Sequence, residues 1–72
     1  MKNNKGLFNL TGKVSSISRN AYFVKVDNID KEILCVLSGK MMRNKIKPVI
    51  QDWVEIEIHE SDMKRGRIIR RN

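Results

Sequence analysis

An all-β barrel of five short strands, with one short helix between the third and fourth, is the fold this sequence predicts. Three observations lead there. β-branched and aromatic residues alternate with polar ones at period two, most cleanly in Trp53-Val54-Glu55-Ile56-Glu57-Ile58-His59-Glu60. Clusters with turn chemistry separate such runs at short intervals. The one central segment of good helix formers, Lys40 to Lys45, is closed off by Pro48, which forbids a long helix. A chain of 72 residues is a single small domain near the lower limit for a self-supporting core. A sheet curled on itself encloses the most core per residue and leaves few open edges.

Met1 to Lys5 is polar and reads as a flexible N-terminal tail, leaving residues 6–72 as the folded domain. The first strand starts near Leu7 and is clearest over Gly12-Lys13-Val14-Ser15-Ser16-Ile17-Ser18. Arg19-Asn20-Ala21 is a tight turn, Asn being tolerant of positive φ. Tyr22 to Asp27 is the second strand, with Tyr22, Val24 and Val26 on the core face and Phe23 pointing outward. Asn28 to Lys31 has turn chemistry, and Glu32 to Leu37 completes a three-strand meander. Ser38 is a suitable N-cap for a helical turn over Lys40–Lys45, and Ile46 to Asp52 follows as extended loop. In the fourth strand Val54, Ile56 and Ile58 face one way and Glu55, Glu57 and His59 the other, with Trp53 expected as a lid on the core. Ser61 to Gly66 reads as a charged loop with Gly66 available for positive φ, and Arg67 to Arg70 as a short closing strand. This order is that of the OB-fold, the five-stranded Greek-key barrel. An SH3-like barrel is the main competitor and lacks the insertion at Gly39 to Ile46.

Composition narrows the function. The single cysteine, Cys35, excludes an internal disulfide, and Cys35 with the single His59 cannot supply four zinc ligands. No metal or cofactor site is expected. Cys35 lies in the apolar run Ile33 to Leu37 and reads as a buried, inert thiol. No apolar run of about 18 residues exists to span a membrane, and Met1 to Lys5 lacks the apolar stretch of a signal peptide. The expected compartment is a bacterial cytoplasm, or the stroma or lumen of an organelle that encodes the chain. There is no Ser-His-Asp spacing, glycine-rich phosphate loop or convergent carboxylate pair, so no catalytic residue is assigned and enzyme activity is not expected.

Charge points to a partner. The net charge is +7, and two segments, Leu37 to Lys47 and Lys64 to Arg71, hold nine of the fifteen Lys and Arg residues and none of the eight acids. Such segregation makes a directed field, and a nucleic-acid backbone is the commonest extended anion in a cell. Lys40, Arg43, Lys45 and Lys47 form the first candidate set, with no acid close in sequence to relieve their mutual repulsion. Arg65, Arg67, Arg70 and Arg71 form the second; Arg adds bidentate donors for phosphate and a planar face that stacks on bases. Aromatics are sparse (Phe8, Tyr22, Phe23, Trp53), and Phe23 is the candidate for base stacking. Few platforms and many cations suit structured RNA read by shape and phosphate better than free single strand.

With these residues in view, the chain resembles bacterial-type translation initiation factor 1, the small OB-fold factor of the small ribosomal subunit. The resemblance runs from about Leu7 to Arg71. It is carried by Gly12-Lys13-Val14, by Leu37-Ser38-Gly39-Lys40-Met41 through Ile46-Lys47, by Asp52 with Val54, and by Asp62-Met63-Lys64-Arg65-Gly66-Arg67-Ile68-Ile69. It implies a monomeric factor that binds the decoding region at the A site, keeps elongator tRNA out, contacts ribosomal RNA and a neighbouring ribosomal protein, and works with the other two initiation factors. It also implies that Lys40, Arg43, Asn44, Lys47, Arg65, Arg67 and Arg71 face RNA. The chain departs from the family pattern at Lys45 and Arg70, where an aromatic is usual, at Ser61, commonly tyrosine, at Gln51, which replaces a turn glycine, and at Pro48. The turn at Arg19-Asn20 is shorter by a residue and the loop at Asn28 to Lys31 longer. Two other readings remain open: a cold-shock-like chaperone of single-stranded nucleic acid, and a protein-interaction barrel whose charge serves solubility alone.

Overall fold

The computed structural model describes residues 6–26 and 31–72. The elements are β1 (Leu7–Ser18), β2 (Ala21–Val26), β3 (Glu32–Leu37), α1 (Gly39–Arg43), β4 (Trp53–His59) and β5 (Asp62–Arg71). They close into one barrel in the order β1-β2-β3-β5-β4, every neighbour antiparallel except β3 and β5. The five strands and the single helix between β3 and β4 are those expected of an OB-fold. The expected tail, Met1 to Lys5, and most of the Asn28 to Lys31 turn lie outside the described residues.

Closure depends on β1, which is long enough to serve two neighbours. Its first half pairs with β4 from Leu7↔His59 to Lys13↔Trp53, and its second half with β2 from Gly12↔Val26 to Ser18↔Ala21. A bulge at Ser15 bends the strand between Val14 and Ser16. The two-residue Arg19-Asn20 turn forms without positive φ at either residue, so the tolerance of Asn for that region is not used.

The core follows period two. Val14, Tyr22, Val24, Val26, Ile33, Cys35, Val54, Ile56, Ile58 and Ile68 are buried, and Met41 of α1 joins them at one end of the barrel. The Ser38 hydroxyl caps α1 by accepting the Met41 N–H at 3.2 Å. The helix stops at Arg43 rather than Lys45 because the chain turns left-handed at Lys45 (φ 56°). Ile46 N–H then returns to Met41 O and Lys45 N–H to Met42 O, at 3.0 and 3.1 Å, while half-buried Ile46 packs on the core. Glycine or asparagine is usual at such a position, so Lys45 holds it against a local strain.

β5 corrects the sequence reading. The segment expected as a loop, Ser61 to Gly66, is strand from Asp62 onward, and Gly66 has no positive φ. Period two is masked there by charge, but the segment has partners on both sides: Leu34↔Arg65 to Leu37↔Ile68 in β3, and His59↔Asp62 to Ile58↔Gly66 in β4. Tertiary pairing overrides weak local propensity. Gly66 faces inward, where an added Cβ would come 2.9 Å from Ile58 Cγ2 and 3.2 Å from Cys35 Sγ.

Cys35 is fully buried, and desolvation pushes its thiol pKa up from 9.0 to about 12. It donates one long hydrogen bond, Sγ to Ile33 O at 3.5 Å. Below pH 9 the thiol is protonated in both the folded and unfolded chain, so pH has no effect through it. Above that the unfolded chain ionises first, and stability falls until the folded pKa is passed. Urea denaturation at pH 10 is expected to show a loss on the order of 1 kcal/mol relative to pH 8 that disappears in Cys35→Ala.

Candidate nucleic-acid interface

The helix end of the barrel brings the two basic segments together. Lys40 of α1, Asn44 at its C-cap, and Arg70 and Arg71 of β5 surround one depression of about 580 Å³, whose apolar parts come from Met41, Ile46 and Ile69. Ile69 reaches it because β5 bulges: Ile56 pairs with Ile68 and Glu55 with Arg70, which leaves Ile69 over. That extra residue resets the parity of Arg70 and Arg71. The consecutive Ile68-Ile69 pair, which breaks alternation, was the signal in the sequence for it.

Lys40, Arg43, Lys45 and Lys47 are exposed, and none forms an ion pair among the described residues. Arg43 folds back along its own helix, with Nη1 3.4 Å from where a Cβ on Gly39 would stand. Lys47 lines a second depression of about 650 Å³ on the other side of α1, where Ile17, Tyr22, Val36, Leu37, Met42 and Pro48 are apolar and Arg19 is the other cation. The loop below is shaped by Asp52, whose carboxylate accepts Val49 N–H at 2.9 Å, and by Gln51 at φ 83°. The position where the family resemblance has glycine therefore keeps a left-handed backbone with glutamine in it.

The second basic segment is less free than its sequence suggested. Arg67 bonds to Glu57, Arg70 pairs with Glu55 at 2.8 Å, and Arg71 lies 3.9 Å from Asp52. The acids are remote in the chain, but antiparallel register sets Glu57 against Arg67 and Glu55 against Arg70. Exposed pairs of this kind contribute only about 0–1 kcal/mol to stability, yet they cancel charge locally. Arg67 also stands elsewhere: with Arg65 it lines a separate hollow beside Glu57, His59 and Asp62. The surface that unites both segments is thus Lys40 and Asn44 with Arg70 and Arg71, and it does not include Arg65 or Arg67.

Two aromatics also differ from each other. Phe23 is half-buried on the outer face, opposite Ser16 and Leu34 in register. Trp53, expected as a core lid, is on the outer face and 38% exposed, because Val54 takes the inward parity. Lys13, its cross-strand partner, holds Nζ 5.0 Å from the Trp53 ring centroid. Neither Lys13 nor this pairing was anticipated, although the register of two alternating strands was the available signal.

A closed β1-β2-β3-β5-β4 barrel with a helix between β3 and β4 defines a small, basic OB-fold protein. No family model matches the chain. It is 37% identical to translation initiation factor IF-1 of Rickettsia felis over 67 residues, covering 92% of this chain and 93% of that protein. The solution structure of translation initiation factor IF-1 from the Wolbachia endosymbiont of Brugia malayi superposes with a TM-score of 0.79 at 42% identity, covering 94% of this chain and 80% of that one. YloQ, a circularly permuted GTPase, shares the fold alone: TM-score 0.76 at 22% identity, over 25% of its length. The chain belongs to the translation initiation factor IF-1 family, and its role is in translation initiation.

Proposed function

We propose that this factor binds the decoding region of the small ribosomal subunit at the A site, through the helix end of the barrel. Bound there, it excludes elongator tRNA before initiation is complete and acts alongside the other initiation factors in the bacterial cytoplasm. One observation carries the reading: the depression where Lys40 and Asn44 meet Arg70 and Arg71, with Arg43, Lys45 and Lys47 on the same helix and loop. Membership of the IF-1 family supplies the setting. The chemistry is docking, with no bond made or broken. Cations displace condensed counterions from phosphates, and the shape of the helix end selects where on folded RNA this happens.

Among the described residues, five cations at this end lack a close acidic partner or have only a long one: Lys40, Arg43, Lys45, Lys47 and Arg71. Five phosphate contacts at roughly −0.7 to −0.9 each give a log–log slope of affinity against salt of about −3.5 to −4.5. Titrating purified small subunits between about 50 and 200 mM salt measures it. A slope near zero would reject the docking mode. The single-strand chaperone is the second reading, and it is favoured by the outward Trp53; binding to an unstructured oligonucleotide as tight as to subunits would select it.

A further inference from the structure

The geometry points to a second RNA contact on the flank of the barrel: a platform for one unpaired nucleotide, with Trp53 stacking the base and Lys13 receiving the adjoining phosphate. It rests on RNA being the partner but shares no residue with the helix-end surface. Lys25, Lys13 and Trp53 stand abreast on β2, β1 and β4, each opposite the next in register. Together with Ser15 and Gln51 they line a depression of about 410 Å³, within the size range of small-ligand sites.

The wall of this depression is built rather than incidental. Gln51 N–H donates to Val14 O at 2.8 Å and Val14 N–H to Asp52 O at 2.9 Å, which ties the loop before β4 onto the edge of β1 at the bulge. The left-handed turn at Gln51 brings that residue into the depression's lining. Asp52, the acid next in sequence, is occupied by Val49 N–H and faces Arg71, so it does not line the hollow. Glu32 reaches the Ser15 hydroxyl at the rim, at 2.5 Å.

Among the described residues the lining therefore offers the Trp53 face, the Lys13 ammonium and the Gln51 amide, and no carboxylate lines it; the Ser15 hydroxyl is engaged by Glu32 and Phe23 O. A nucleotide uses that set: a π surface for the base, an amide for its edge and a cation for its phosphate. A carboxylate ligand would use Lys13 but leave the indole without a role. An apolar peptide would use the indole but not the ammonium group.

Trp53 is the only tryptophan, so its emission reports on this site alone. Hexaadenylate RNA added at low salt is expected to quench it saturably. Trp53→Leu should weaken binding of the labelled hexamer about 5- to 100-fold, and Trp53→Phe should recover most of that loss. Lys13→Ala should weaken the quenching isotherm several-fold, and a ribose-phosphate hexamer without bases should leave the emission unchanged. Unchanged emission with hexaadenylate, equal quenching by the baseless hexamer, or full affinity in Trp53→Leu would each overturn the assignment. A Lys40→Ala, Arg71→Ala double variant separates the two sites. It should lose small subunits while hexaadenylate still quenches Trp53, and loss of that quenching would overturn the second site. Should the double variant still bind subunits normally, the helix-end reading fails and the flank site stands.

Discussion

Replacing Lys40, Arg43 and Arg71 together with Ala is expected to lower affinity for purified small ribosomal subunits by about 100- to 1,000-fold and to flatten the salt slope by roughly 2 to 2.7. The slope change follows from one counterion-release contribution per phosphate contact. The affinity change follows from charge-assisted hydrogen bonds worth about 1.5 kcal/mol each at the lower end, combined without full additivity. All three side chains are exposed and none caps or fills the core, so thermal stability should stay within about 0.5 kcal/mol of the parent. Arg67→Ala is the contrast. Arg67 spends its guanidinium on Glu57 and lines a different hollow, so its loss should change subunit affinity by less than about threefold. The family resemblance treats Arg67 and Arg71 alike; the geometry does not. Sedimentation with subunits at two salt concentrations decides between them, and equal losses in Arg67→Ala and Arg71→Ala would refute the placement of the interface.

The contrast shows where the sequence was legible. Clean alternation exposed the inward sets Tyr22, Val24, Val26 and Val54, Ile56, Ile58, and Pro48 ruled out a long helix, although the left-handed turn at Lys45 is what ends α1 at Arg43. Those features act over a few residues, and a one-residue slip would turn every side chain to the wrong face. The C-terminal segment was misread for the opposite reason. Asp62 to Gly66 carries little apolar signal, and its strand state depends on β3 and β4, which are distant in the chain. The same distance hid the ion pairs. Glu55 and Glu57 were placed correctly on the outer face, but only closing the barrel puts Arg70 and Arg67 across from them. Charge counted along a chain therefore overstates charge available at a surface wherever alternating strands pair. The Lys40 to Lys47 segment escapes this because a helix and loop present it away from the ladder.

Gly12→Ala is expected to destabilise the barrel by about 2–3 kcal/mol, which for a domain this small lowers the melting temperature by roughly 10–20 °C. Gly12 is where β1 passes from one partner to the other, pairing with Val26 on β2 and Val54 on β4. A Cβ there would stand 2.6 Å from Val24 Cγ1 and 2.7 Å from the backbone oxygen of Lys25. Val24 is fully buried and cannot rotate away without opening the core, and the Lys25 carbonyl belongs to a strand held on both sides. Relief requires β1 and β2 to separate at the point where the sheet curls to close. Gly39→Ala serves as the control. Its added Cβ would meet only the far end of the Arg43 side chain at 3.4 Å, and the residue begins α1, so stability should hold or rise by a few tenths of a kcal/mol. Calorimetry of both variants tests the closure argument directly. Because small domains have little stability to spare, Gly12→Ala should also lose subunit binding near its lowered melting temperature while leaving every cation of the interface in place. A melting temperature within a few degrees of the parent would mean that β1 can yield at Gly12, and that barrel closure does not depend on a residue without a side chain there.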